Sequence, residues 1–269
     1  MSAAGREGAA ARPRRRGIYL LPNLFTTAGL FAGFYAIVAA MNGRFAAAGV
    51  AVFVALVMDG LDGRIARLTN TQSDFGKEYD SLADMVAFGL APALVVYQWA
   101  LVHLGKMGWL GAFLFAAGAA LRLARFNVRP GASRRYFQGL ASPAAAAVVT
   151  GMVWVGDAYG VVPGRGLALV AWLVTVACAW LMVSSIRYRS FKDLDLKGRV
   201  PFVAVLAVVL LFVLVSIDPP QVLFALFAGY ALSGPVMAAA RWRRLRRSPA
   251  ARPPGARGGG SLDRERGGR

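Results

Sequence analysis

The sequence holds one cysteine and one histidine. One thiol forms no intrachain disulfide, and Cys178 lies in an apolar run, where a buried, inert thiol is the default. Zinc sites are built from Cys and His sets; Cys178 and His103 alone do not supply one. Acidic residues are also scarce, 13 against 31 Lys and Arg, for a net charge of +18. Period-2 alternation is missing from the apolar runs, and those runs are too long for strands, so a β-fold is set aside. No internal repeat is present.

What is plentiful is apolar. Hydrophobic residues make up 57% and charged residues 16%, where a soluble domain carries about 25% charged residues. The excess lies in runs near the roughly 20 residues that cross a bilayer. Eight are candidates: 19–41, 45–61, 82–103, 108–126, 143–159, 166–186, 201–217 and 219–240. The reading is an all-α, polytopic membrane bundle of about eight helices. The second run is short, and its helix is expected to continue past the apolar part, carrying Asp59 and Asp62 to the interface. The run 143–159 is Ala-rich and the weakest span. The last two runs meet at Asp218-Pro219-Pro220, which predicts a helical hairpin. "ARPRRRG" before the first run has the outline of a signal peptide, but the apolar part is too long, so an anchor helix is expected.

The positive charge has a side. With both termini in the cytoplasm, every Lys and Arg except Arg44, Lys106 and Arg165 falls on the cytoplasmic face. This is the positive-inside pattern, and eight spans fit it better than seven or nine. The same face would meet anionic headgroups. A charge explained by topology gives no ground for a nucleic-acid partner. Residues 1–17 are expected to be a basic disordered tail, 18–240 the membrane domain, and 241–269 an Arg/Gly/Pro-rich tail. Trp99, Trp109 and Tyr159 fit interfacial belts.

Six of the 13 acidic residues crowd into residues 59–84. Asp59 and Asp62 are three apart and share one helix face; Asp80 and Asp84 are four apart and share a face of the next. The polar "LTNTQSDF" between them makes those helices antiparallel neighbours, so four carboxylates converge at the cytoplasmic interface. Like charges this close repel, and the set makes sense when divalent cations neutralise it. All-oxygen ligands suit Mg²⁺, Mn²⁺ or Ca²⁺. Gly60, Gly63, Ala66 and Gly76 leave space beside the carboxylates, either for a ligand or for close helix packing. Next to Arg67, a groove for a phosphorylated ligand is favoured. Two function classes follow: an enzyme acting on a phosphorylated lipid, or a divalent-cation transporter. A transporter normally binds near the midplane; a site at one mouth favours the enzyme.

The spacing Asp59-x-x-Asp62-Gly63-x-x-Ala66-Arg67, eight residues, Gly76, three residues, Asp80, three residues, Asp84 resembles, without departure, the signature of the CDP-alcohol phosphatidyltransferase family. That resemblance implies a six-helix core, with the last two helices as additions, and release of CMP from a CDP-linked donor to an alcohol. "RGIYLLPNLFTTAGLFAGFYAIV", "YDSLADMVAFGLAPAL", "ALRLARFNV" and "YFQGLASPAAA" look like the family's membrane-integral bacterial serine-transferring branch, over most of residues 16–143. A phosphatidylglycerophosphate synthase-like member is the alternative within the family.

By that resemblance the donor is CDP-diacylglycerol and the acceptor L-serine. Two divalent cations, Mg²⁺ or Mn²⁺, are held by Asp59, Asp62 and Asp80 with Asp84 at their edge, and Asp84 is the base. Gly63, Ala66 and Gly76 line the nucleotide groove, and Arg67 contacts a phosphate or pairs with a motif carboxylate. Asn23 contacts the donor headgroup or only shapes the start of helix 1. Arg122 and Arg125 grip the serine carboxylate or the lipid phosphate, or anchor the helix at the interface. Asn127 is their hydrogen-bonding neighbour, and Gln138 and Ser142 are further candidates. Asp74 and Glu78, outside the signature, read as solvated loop charges. The resemblance also implies a homodimer in the bacterial inner membrane with the site facing the cytoplasm.

Overall fold

A computed structural model describes residues 20–69, 73–128, 136–189 and 202–247. The expected N-terminal tail lies outside the described residues, as does residue 248 onward. The described chain is almost wholly helical: α1 (Leu20–Met41), α2 (Phe45–Leu68), α3 (Asp74–Asp84), α4 (Ala91–Trp99), α5 (Lys106–Val128), α6 (Ser142–Ala158), α7 (Arg165–Val183), α8 (Phe202–Ile217) and α9 (Pro219–Arg247). A membrane bundle keeps its backbone polar groups paired inside helices, because lipid offers them no partner.

α1 and α2 form a hairpin about Gly43, whose φ of 70° is the left-handed region glycine favours. α2 does run past its apolar part, to Leu68, and Thr69 N–H closes it on the Ile65 carbonyl. α3 and α4 make one rod joined by a π-helical turn, Met85–Leu90. Pro92 follows at the start of α4. A proline cannot donate to the carbonyl four residues back and its ring crowds it, so a widened turn just upstream is a physical outcome. The rod starts earlier than the apolar run beginning at residue 82, because its first turns are polar and well capped. Ser73 accepts a hydrogen bond from the Gly76 N–H at 3.0 Å, and Asp74 sits in the first turn.

Among the described residues, six stretches are long and apolar enough to cross a membrane: α1, α2, the α3–α4 rod, α5, α7 and α9. α6, with 17 residues, and α8, with 16, fall short by that measure; 17 residues rise about 25 Å against a hydrocarbon core of roughly 30 Å. α6 is Ala-rich for a reason the sequence does not show. It is the innermost helix, packed on α2, α4, α7 and α9, and Ala144 to Ala147 are all buried. Small side chains let neighbours approach from every side.

The C-terminal hairpin has unequal arms. α8 packs chiefly on α9, while α9 packs on α6. α9 also runs to Arg247, into the stretch expected to be tail. It packs against a short antiparallel ladder that no sequence signal marked, β1 (Tyr136–Gln138) on β2 (Arg187–Arg189). From β2, Tyr188 enters the bundle fully buried, and its O–H donates to the Ala231 carbonyl of α9 at 3.0 Å. Burial pushes the Tyr188 phenol up to about 12, so it remains a donor. Gly234 makes the room: a Cβ there would lie 2.3 Å from the Tyr188 ring.

On the opposite face, Asp157 accepts from the Ala46 N–H at the start of α2 at 2.8 Å. Tyr159 O–H donates to Asp218 Oδ2 at 2.6 Å. Trp99, expected in an interfacial belt, is 5% exposed and packs against Gly156.

The tightest approach near the carboxylates is Gly33 of α1 against the π turn, where a Cβ would stand 2.6 Å from Ala87 Cα. Gly33→Leu is expected to lower stability by ~1–3 kcal/mol or more, since backbone has to move. Gly229 of α9 has nothing within 4 Å of a built Cβ, so Gly229→Ala should be neutral or gain up to ~1 kcal/mol from helix propensity. Thermal unfolding of the two variants in detergent checks both; equal melting temperatures would contradict the packing assigned to Gly33.

Candidate active site

α2 ends and α3 begins at the same side of the bundle, and both pack on α1. That brings Asp59, Asp62 and Asp80 together: one carboxylate oxygen from each lies within 4.8 Å of the others. Asp84, one turn after Asp80, lines the same pocket, with Thr26 and Gly29 of α1, Ala55 of α2, and Ala87 and Phe88 of the π turn forming its walls. Asp62 is only 5% exposed. Burying a charge is costly unless it is paired, and these groups repel one another. The oxygen-only donor set, the short mutual distances and the burial fit a hard divalent cation.

The glycines divide into two kinds. A Cβ built on Gly60 or Gly63 meets nothing within 4 Å, so helix packing does not explain them. The flank of α2 beside Asp59 is open. Ala66 continues that helix half-buried, and Arg67 is exposed in its last turn. Gly76 is different: a Cβ there would lie 3.1 Å from Ser73 Oγ and 3.4 Å from Asn23 Oδ1. Gly76 therefore has a local structural reason, the cap of α3, and it lets the Asn23 side chain reach the start of that helix. Asp74 pairs with Lys77 at 3.1 Å with its side chain fully exposed, and Glu78 is exposed too; surface charges of this sort contribute little.

The three α5 candidates part ways. Arg122 turns inward. Its Nη1 donates to Ser142 Oγ at 2.9 Å, its Nε is buried without a hydrogen-bond partner, and it lies within electrostatic reach of Asp84 and Tyr230. Arg125 instead donates to the Val183 carbonyl at 3.1 Å, satisfying the C-terminal end of α7. Asn127 Nδ2 donates to Ser81 Oγ at 3.0 Å, tying the end of α5 to the carboxylate-bearing α3. Gln138 is exposed on β1, opposite Arg187.

Two contributors were not found from sequence. Thr26 Oγ1 lies 2.8 Å from Asp62 Oδ2; the only signal was a pair of hydroxyl residues early in an apolar helix. Tyr230, on α9, has no motif around it and reaches Arg122 only through the fold.

The sequence profile of the CDP-alcohol phosphatidyltransferase family matches residues 19–175, which include all four carboxylates. The chain is 41% identical over 197 residues to CDP-diacylglycerol–serine O-phosphatidyltransferase of Helicobacter pylori J99, spanning 73% of this chain and 83% of that protein. It is 33% identical over 215 residues to the protein of the same name from Mycobacterium leprae, spanning 74% and 69%. Archaetidylserine synthase of Methanothermobacter thermautotrophicus is 34% identical over 170 residues, spanning 62% and 69%. With the fold, the carboxylate set and these relatives in agreement, the chain belongs to the CDP-alcohol phosphatidyltransferase family.

Proposed function

We propose that this chain transfers the phosphatidyl group of CDP-diacylglycerol to the hydroxyl of L-serine, releasing CMP and forming phosphatidylserine. The observation that carries the reading is the convergence of Asp59, Asp62 and Asp80 within 4.8 Å, with Asp84 on the same pocket. The serine-specific names of the relatives support the acceptor.

Asp59, Asp62 and Asp80 would hold two divalent cations, Mg²⁺ or Mn²⁺. When bound, these supply positive charge to the donor pyrophosphate and the departing CMP. The open flank at Gly60 and Gly63 gives the nucleotide room against the α2 backbone, with Ala66, Arg67, Gly76 and Asn23 as its surroundings. Asp84 accepts the serine hydroxyl proton. The serine oxygen then forms its bond to the diacylglycerol-bearing phosphorus, and the bond from that phosphorus to the CMP oxygen breaks. Arg122 is oriented by Ser142 and keeps its Nε unspent, which suits it to the serine carboxylate beside Asp84. Arg125 serves the end of α7 and Asn127 holds α3, so both support the serine site from outside it.

The site lies on the side where basic residues gather, so the reading places it at the cytoplasmic face of a bacterial inner membrane. A homodimer is carried by the family resemblance.

The direct test is CMP release by purified protein in liposomes with CDP-diacylglycerol, Mn²⁺ or Mg²⁺, and serine, glycerol 3-phosphate, inositol or choline in turn. Serine-dependent release that EDTA abolishes is expected; release with glycerol 3-phosphate alone would overturn the acceptor. Asp84→Asn should lower kcat by about 10²–10⁴-fold, the usual contribution of a positioned base, while Mn²⁺ still binds. Arg122→Ala should raise the KM for serine by roughly tenfold or more, the scale of a lost charge-assisted hydrogen bond, and leave the donor KM within a few-fold. Equal changes in the two constants would remove Arg122 from the acceptor site.

A further inference from the structure

Asp62 has a hydrogen-bond donor from a third helix. Thr26 of α1 places Oγ1 2.8 Å from Asp62 Oδ2, and both residues are 5% exposed. The same hydroxyl lies 3.2 Å from the Pro22 carbonyl one turn back in α1. A hydroxyl carries one proton, so the charged and nearer carboxylate is the stronger acceptor and the backbone carbonyl the alternative.

The last torsion of an aspartate side chain is broad and roughly two-fold, so packing alone does not fix how the carboxylate faces. Asp59 and Asp62 sit on one helix, and their own backbone sets only where each side chain starts. A donor anchored on α1 narrows the orientation. α1 is well placed for this. Gly29 lets it lie against Met58 and Ala55 of α2, and Gly33 lets it lie against Ala87. The next residue, Thr27, makes the parallel connection to α3, 2.9 Å from Tyr79 Oη. Adjacent threonines thus tie one helix to both carboxylate-bearing helices, but only Thr26 touches a carboxylate.

We propose that Thr26 is a positioning residue for Asp62, holding its carboxylate in the orientation that offers an oxygen to a divalent cation shared with Asp59 and Asp80. The proposal rests on the cation-site reading above and adds a partner that the signature motif, which starts at Asp59, does not contain. Hydrogen-bonding partners of metal ligands typically contribute 10–100-fold in metal affinity.

The test is Mn²⁺ binding to the full-length protein in detergent, read from the electron paramagnetic resonance signal of free Mn²⁺, with no turnover involved. Thr26→Val should weaken Mn²⁺ binding by about tenfold or more, and Thr26→Ser should remain within about threefold of the unmodified protein because it restores the hydroxyl. Thr27→Val removes a comparable tie between α1 and α3 and should leave Mn²⁺ affinity unchanged. Where Thr26→Val fails to fold, Thr26→Ala carries the same expectation. Unchanged binding in Thr26→Val, failure of Thr26→Ser to restore it, or equal weakening by Thr27→Val would each overturn the role of Thr26 while leaving the cation site standing. No Mn²⁺ binding by the unmodified protein would overturn the cation site and this inference together.

Discussion

Mutual repulsion among carboxylates is the constraint around which this bundle is arranged. Asp59, Asp62 and Asp80 bring oxygens within 4.8 Å of one another, and Asp62 does so almost out of contact with solvent. At such separations two unit charges repel by about 1 kcal/mol in water and several-fold more near a protein surface. Nothing in the three side chains favours that meeting. It is imposed by α1, which packs along α2, α3 and the π turn at once. Where glycine stands at these contacts, a larger residue would force the helices apart. The site thus stores an electrostatic demand for cations, and the apolar packing of α1 holds the carboxylates together to make it.

The rest of the bundle supports that arrangement at a distance. α6 fills the centre with alanine. α5 brings Arg122 across to Ser142 at the start of α6, which puts a cation beside the anionic pocket without placing it among the ligands. Arg125 and Asn127, both in the last turn of the same helix, bind α7 and α3. Three polar residues on a single helix terminus therefore reach three different helices, and only one of them points toward the chemistry.

That division marks how far the sequence could be read. The helices, the α8–α9 hairpin and the carboxylate set were legible because each rests on local periodicity: about 20 apolar residues for a span, three- and four-residue spacing for a shared face. The continuation of α2 to Leu68 was legible for the same reason. Arg122 and Arg125 were not separable, since they lie on the same helix with the same chemistry, and what distinguishes them is the neighbour each meets. The alanines of α6 looked like a weak membrane segment because hydropathy measures preference for lipid, and a helix surrounded by other helices has little need of it. Thr26 and Tyr230 depend on contacts across 36 and roughly 100 residues of chain, where no spacing rule operates. The β1–β2 ladder pairs two three-residue strands from separate connections, too short for any periodic signal.

The lock between Tyr188 and α9 has a consequence for how the molecule is made. α6 packs against α9, which lies more than 60 residues further along the chain. Until α9 has emerged from the ribosome, one side of the central helix is uncovered, and the cavity at Gly234 that receives the Tyr188 ring does not exist. Synthesis runs from the N-terminus at about 5–20 residues per second, so the carboxylate helices are made roughly 10–30 seconds before α9 is complete. The order of synthesis thus meets the contacts: the carboxylates are made early, and the open side of α6 is covered by α9, made much later.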